Sequence, residues 1–160
     1  MTNLIYLSSV FITLTLTPIG TATLQQPVLT VEDLRCCGLS EGLKPDEILR
    51  ILGKPTKIIQ TDDPFEPGSK LVTWQYKDLL IGLGEGEALQ GVTILSSKYG
   101  TKRGLHVGDG VQKLRGLYGE PSGTYPSSWD YEGPEGLYQV MRVTVEKSKV
   151  VKIYLGWLSD

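Results

Sequence analysis

The sequence predicts an α+β protein built from two tandem helix-plus-meander repeats, and three observations lead to that prediction. Residues 42–55 align without a gap on residues 108–121, and both stretches close on the pattern Gly-x-Pro. The motif Trp74-Gln75-Tyr76 is then matched by Trp129-Asp130-Tyr131. The segments around and after these motifs alternate between apolar and polar residues, which is typical of strands in an antiparallel sheet.

Chain length limits how many domains this duplication can represent. The 160 residues are enough for one compact domain that buries roughly two thirds of its unfolded surface. We expect that single domain to contain repeat 1 at residues 30–99 and repeat 2 at residues 100–160.

Charge composition argues against one large class of partner. The chain has 16 Lys and Arg residues against 18 Asp and Glu residues, for a net charge of −2, and both signs occur in both halves. A nucleic-acid-binding surface needs a concentrated basic face. We therefore predict no nucleic-acid partner.

The N-terminal residues 1–23 resemble a secretory signal peptide. Residues 4–20 are uncharged and mostly apolar, and they end in a Pro-Ile-Gly break that small residues follow. This stretch is short for a membrane-spanning helix, which needs about 20 residues. A Thr-rich buried strand is the alternative interpretation. We expect a signal peptide and an exported protein, periplasmic or extracellular, with no integral membrane span after its removal.

A short helix capped at Thr30 and ended by Gly38 is predicted to open repeat 1, and each repeat is predicted to contain a short amphipathic helix before its strands. Pro45 is tolerated in the first turn of a helix. Gly53 is expected to end that helix, because glycine readily adopts the left-handed conformation found after many helix C-termini. The apolar residues recur at helical spacing, as Ile48, Leu49 and Leu52 in repeat 1 and as Val111, Leu114 and Leu117 in repeat 2.

Antiparallel strands are predicted to follow each helix. They are expected at residues 71–76, 79–83 and 89–95, and again at 129–131, 137–146 and 149–157. Successive side chains point to opposite faces of a strand. In the last two strands the inner face would carry Met141, Val143, Val145, Val151, Ile153 and Leu155. The other face would carry Tyr138, Arg142, Thr144, Glu146, Lys152 and Tyr154.

A helix closing on Gly-x-Pro before a meander that contains Trp-x-Tyr resembles the β-lactamase inhibitory protein-like repeat. Small outer-membrane-assembly lipoproteins of the SmpA/OmlA type use this repeat singly. The positions that carry the resemblance include Gly42, Gly53, Pro55, Gly108, Gly119 and Pro121, with Trp74 and Trp129. The resemblance implies a tandem-repeat family of exported bacterial proteins, with a helix-loop-helix packed on three to four antiparallel strands in each repeat. The chain lacks the paired cysteines of the inhibitors and the lipid-acceptor cysteine of the lipoproteins.

Tyrosines and basic residues on one sheet face indicate a protein-binding surface, because Tyr and Arg often dominate binding energy at interfaces. The candidate partner-binding residues are Tyr138, Arg142, Lys152 and Tyr154. We predict a monomeric, non-catalytic protein-binding module, with inhibition of a target as one form of that function. A cell-envelope assembly or scaffold protein, and a small hydrolase or ligand-binding protein, are the alternatives. The tryptophans are alternatively expected to fill the core.

No residue pattern in the sequence assembles a catalytic, metal or cofactor site. His106 has no Ser or Cys partner in a recognisable motif. The Gly-containing segments 82–86 and 102–104 match no complete nucleotide-binding fingerprint. We therefore predict that the protein is not an enzyme and holds no cofactor or metal.

The adjacent residues Cys36 and Cys37 make an ordinary structural disulfide between them unfavourable, because it would distort the intervening peptide. Two interpretations stay open from the sequence. The cysteines are small residues packed on a helix, or they form a redox-active or intermolecular thiol.

Overall fold

The computed structural model describes residues 29–64, 66–84, 88–133 and 138–157, with the backbone alone at Trp157. The predicted signal peptide at residues 1–23 lies outside these ranges.

The described residues contain two α-helices of eight residues each, and both end where the sequence predicts. Helix α1 is Pro45–Leu52 and helix α2 is Val111–Tyr118. Gly53 follows α1 with φ of 75°, and Gly119 follows α2 with φ of 76°. Because this region of backbone space strongly favours glycine, these two positions set the helix C-termini.

In the described part of the chain, eight strands form one antiparallel sheet in the order β1-β2-β3-β4-β8-β7-β6-β5. The first four are β1 Lys57–Asp62, β2 Lys70–Gln75, β3 Leu79–Leu83 and β4 Leu89–Ile94. The others are β5 Gly123–Thr124, β6 Ser128–Glu132, β7 Gln139–Glu146 and β8 Lys149–Trp157. Strands β3 and β8 coincide with the predicted ranges, whereas β1 and β5 are additional to the prediction.

The predicted fold class is wrong, because a single eight-stranded sheet replaces two tandem α+β repeats. Strand β4 pairs directly with β8, from Gly91 opposite Gly156 to Ile94 opposite Ile153. This pairing satisfies backbone groups that would be left open at the edges of two separate meanders. Helical structure in the described ranges is limited to α1, α2 and a 3₁₀ turn at Val31–Leu34. The assignment of residues 30–99 and 100–160 to two sequence repeats remains a prediction.

Both α-helices pack on the same face of the sheet, which we call the inner face. Ile48 of α1 and Leu114 of α2 are each 0% exposed and belong to one apolar cluster with strand residues of both meanders. The cluster includes Ile81, Ile94, Met141, Val143, Ile153 and Leu155.

The predicted inner face of β8 is wrong at Val151, because a β-bulge interrupts the alternation there. The register shifts between Thr144 and Val145, so that Val145 lies opposite Val150. Val150 is consequently buried in the core, whereas Val151 is only partly buried. The predicted alternation holds on the other side of the bulge, where Met141 lies opposite Leu155.

The tryptophans of the two Trp-x-Tyr motifs lie in different surroundings. Trp74 on β2 is buried in the core. Trp129 on β6 is partly buried, and the Arg115 guanidinium lies 4.9 Å from its ring centroid. The prediction that the tryptophans fill the core is therefore confirmed for Trp74, whereas Trp129 lies at the edge of the core.

A buried ion pair fastens the N-terminal segment to the helical side of the molecule. Arg103 donates two hydrogen bonds to the Asp33 carboxylate, at 2.7 and 2.6 Å, and a third to the Leu117 carbonyl at 3.0 Å. Its guanidinium also lies 4.7 Å from the ring centroid of Tyr118, whose hydroxyl donates to Thr101. We call Asp33 and Arg103 the N-terminal clamp.

Burial alone would raise the pKa of Asp33, because only 3% of the residue is exposed. Hydrogen bonds from Arg103 and Thr30 outweigh this effect and lower the pKa below its ordinary value of 3.8. The clamp is therefore an ionised pair at neutral pH.

Candidate protein-binding face

The face of the sheet opposite the helices, which we call the outer face, carries a continuous row of side chains. Register places Leu80 opposite Thr93, Thr93 opposite Tyr154, and Tyr154 opposite Arg142. Arg142 in turn lies opposite Asp130 of β6. Asp130 is buried, whereas Leu80, Thr93, Tyr154 and Arg142 are each partly exposed.

Arg142 is held in position by Asp130. The guanidinium donates to both carboxylate oxygens, at 2.8 and 2.6 Å. The Asp130 side chain is 5% exposed, whereas the Arg142 side chain is 42% exposed. The hydrogen bond from Arg142 to Asp130 raises the pKa of Arg142, so the group is a fixed cation. A buried carboxylate thus orients a basic group that faces outward.

Tyr125 extends this cluster at the β5–β6 turn. Its ring centroid lies 5.9 Å from the Arg142 guanidinium, and the residue is 55% exposed. A Cβ atom added at Gly123 would lie 3.5 Å from the Tyr125 ring and 3.7 Å from the Asp130 Cβ. The ring therefore packs beside the ion pair while it presents much of its surface to solvent.

Tyr154 lies flat across two glycines on neighbouring strands. A Cβ atom at Gly91 would come within 2.7 Å of its ring, and one at Gly156 within 2.7 Å of its hydroxyl oxygen. Burial raises the pKa of Tyr154. Tyr154 is therefore part of the structure of the outer face. Replacing it would disturb the paired strands β4 and β8, whose junction we call the β4–β8 seam.

The structure brings together three of the four predicted partner-binding residues. Arg142 and Tyr154 are direct neighbours, and Lys152 is exposed two residues before Tyr154 on β8. Tyr138 is 62% exposed, but it precedes β7 and has a φ of 23°. Strand alternation therefore does not place it on the outer face.

Sequence reasoning missed Asp130 and Tyr125 as members of this cluster. Asp130 stands between Trp129 and Tyr131, so alternation alone points it away from those two aromatic residues. That signal was available in the sequence. The register that sets it opposite Arg142 was not.

The other residues that could carry out chemistry, such as His106, are not gathered around one pocket. His106 lies in a loop, where its Nδ1 atom is 3.1 Å from the Gly104 carbonyl oxygen. Within the described ranges no three His, Cys, Asp or Glu side chains are grouped to hold a metal ion. A surface cleft of about 230 Å³ lies between the end of α1 and the β2–β3 turn. Leu52, Tyr76 and Lys98 line it.

Comparisons with known proteins do not assign the chain to a family. No protein-family model and no curated protein matches it. A solved structure of an extracellular protein containing an SCP domain, from Bacillus anthracis str. Ames, is 7% identical, with a TM-score of 0.45. The comparison covers 88% of this chain and 50% of that one. Because this likeness establishes neither a shared fold nor a shared function, the family resemblance drawn from the sequence stays a prediction.

The described residues contain no helix with the length and apolarity needed to cross a bilayer.

Proposed function

We propose that the protein is an exported, non-catalytic binding module that uses its outer face to hold another protein. The observation that carries the proposal is the Asp130–Arg142 pair beside Tyr125. Arg and Tyr are the residue types that most often dominate binding energy. Here Arg142 lies on strand β7 and Tyr125 in the adjoining β5–β6 turn, and both side chains present surface to solvent.

Pre-organisation of Arg142 supports binding, because a side chain that is already ordered loses little rotamer freedom when a partner docks. Asp130 engages two of the five N–H donors that a guanidinium carries. The remaining donors suit a carboxylate or carbonyl oxygen on the partner. Lys152, exposed on the same face, favours a partner surface that is acidic around an apolar contact for Tyr125.

The shape of the site favours a protein over a small molecule. Small ligands bind in concave pockets that enclose most of their surface. The Arg142 cluster instead lies on the open face of a sheet, where flat contact with another protein can bury it.

Photo-crosslinking in the native host tests this proposal. A photoreactive phenylalanine at Tyr125 should give one discrete adduct, from which mass spectrometry identifies the partner. The control places the same group at Ile51, which is 44% exposed on α1, and should give no such adduct. No adduct at Tyr125, or equal yields at both positions, would contradict binding by the outer face.

Export is measured in the same cells. We expect the mature protein outside the cytoplasm with its N-terminus after the predicted signal peptide at residues 1–23. N-terminal sequencing that finds an intact Met1 would contradict export with cleavage. The identity of the crosslinked protein separates an inhibitor from a cell-envelope assembly protein.

A further inference from the structure

Strand β1 is one edge of the sheet, and within the described part of the chain no strand pairs with its free side. Five of its six residues are exposed, among them Ile58 at 54%. Sheets usually protect an edge with a short strand, a Pro, a β-bulge or a central Lys. Strand β1 has a continuous register with β2 and three β-branched residues, and its one Lys stands at its first position. It is therefore open to pairing with another strand.

Backbone hydrogen bonds show which residues of β1 point their polar groups away from the sheet. The N–H of Asp63, directly after β1, donates to the Ser69 carbonyl at 3.0 Å, so the backbone of residue 63 faces the β2 side. This direction alternates along an antiparallel strand. The backbone N–H and C=O groups of Ile58, Gln60 and Asp62 consequently point to the free edge, where they can template an antiparallel strand.

A second copy of β1 is complementary to this edge. A two-fold axis between the two Gln60 residues sets Ile58 of each copy opposite Asp62 of the other, so all the outward-pointing residues gain ladder hydrogen bonds. The same register sets Lys57 opposite Asp63. Because a two-fold interface repeats every contact, this charge pair occurs at both ends of the paired strands. Opposite charges directly across a strand pair stabilise it.

The two neighbouring two-fold registers fit less well. A register centred on Ile59 sets Lys57 opposite Thr61 and loses both charge pairs. A register centred on Thr61 sets Ile58 opposite Pro64, which has no N–H to donate. Charge and hydrogen bonding therefore favour the same register, the one centred on Gln60.

We propose that the protein forms a homodimer in which β1 pairs antiparallel with β1 of a second copy and joins two eight-stranded sheets into one. The dimer takes the place of the monomer that the sequence predicts. Assembly stops at two copies, because the other edge strand, β5, has only two residues. The two-fold axis is normal to the sheet, so both outer faces lie on the same side. The interface does not use the Arg142 cluster and is independent of the proposed binding function.

Sedimentation equilibrium of the purified protein measures the dimer. We expect a reversible monomer–dimer equilibrium, because a single strand pair is a small interface. Gln60→Pro should raise the dimer Kd about tenfold or more, since it removes an edge N–H and leaves the hydrogen bonds to β2 in place. A wild-type protein that stays monomeric up to about 1 mM, or that forms filaments, would overturn the proposal. An unchanged Kd for Gln60→Pro would also overturn it.

Exchange of charges tests the register. Lys57→Asp should raise the dimer Kd about fivefold or more, because it sets like charges opposite each other at both ends. Adding Asp63→Lys to this variant should restore the wild-type Kd. The control is Lys77→Asp, an exposed position in the β2–β3 turn, which should leave the Kd unchanged. Absence of rescue, or an equal loss with Lys77→Asp, would contradict the pairing of Lys57 with Asp63.

Amide hydrogen exchange gives a readout that needs no variant. The amides of Ile59 and Thr61 should be protected at every protein concentration, because they bond to β2 within one copy. Those of Ile58, Gln60 and Asp62 should exchange fast in dilute protein and become protected as the dimer forms. Exchange at these three amides that does not change with protein concentration would overturn the proposal.

Discussion

Replacing Arg103 by Ala should lower the free energy of unfolding by about 3 to 5 kcal/mol, because it leaves a buried carboxylate without its partner. Asp33 is 3% exposed and loses both hydrogen bonds from the guanidinium. Equilibrium urea unfolding measures the loss. A value below about 1 kcal/mol, typical of a surface pair, would contradict the clamp.

Two variants control for charge and for folding. Lys102→Ala removes the neighbouring cation, whose pair with Glu32 at 2.9 Å is about half exposed, and should lower stability far less than Arg103→Ala, because exposed ion pairs contribute little. Asp33→Leu combined with Arg103→Met should recover most of the stability, because apolar residues of similar size replace a buried ion pair at little cost. The double variant keeps the test informative if Arg103→Ala does not fold.

Acid should remove the clamp in the wild-type protein. Because the pKa of Asp33 is lower in the folded state than its ordinary 3.8, its ionisation stabilises the fold above that ordinary value. The contribution is lost as pH falls through the lowered pKa. Asp33→Leu with Arg103→Met should lack this part of the acid dependence.

Gly156→Ala should lower the free energy of unfolding by about 2 to 3 kcal/mol through overpacking at the β4–β8 seam. The added Cβ atom would lie 2.6 Å from the Gln90 carbonyl oxygen and 2.9 Å from the Gly91 Cα. These neighbours are backbone atoms, so the two strands must separate to admit a methyl group. Urea unfolding again supplies the measurement.

Gly82→Ala is the matched control, because Gly82 lies opposite Gly91 on the other side of β4. Its nearest neighbour would be 3.7 Å from the new methyl group, an ordinary contact. We expect a change within about 0.5 kcal/mol, as for substitutions that create no clash. If Gly156→Ala is as mild as Gly82→Ala, the seam is less tightly packed than the structure shows.

Local signals allowed several elements to be predicted from the sequence. Pro45 and the two helix-terminal glycines fixed the helices, because the chemistry of helix ends is local. Alternation located β3 and β8. Strand β1 was not predicted because five of its six residues are exposed, so it lacks an alternation of buried and exposed residues. Strand β5 was not predicted because it has only two residues.

Long-range pairing could not be predicted from the same signals. No sequence pattern near Gly91 or Gly156 indicates that these residues lie opposite each other on paired strands. The bulge that exchanges Val150 for Val151 is likewise set by the pairing of β7 with β8. By contrast, the shared face of Arg142 and Tyr154 could be predicted, because it follows from alternation within the β7–β8 hairpin. Asp33 and Arg103, 70 residues apart, give no local sign of their contact.

The affinity of the crosslinked partner for matched variants tests the central claim, that the outer face is the binding surface. Tyr125→Ala should raise Kd about tenfold or more, the effect expected of an interface hot spot. Arg142→Lys should also weaken binding, because lysine keeps the charge but loses the oriented fork. Ile51→Ala on α1 should bind like wild type. Unchanged binding by Tyr125→Ala, or an equal loss with Ile51→Ala, would contradict the account.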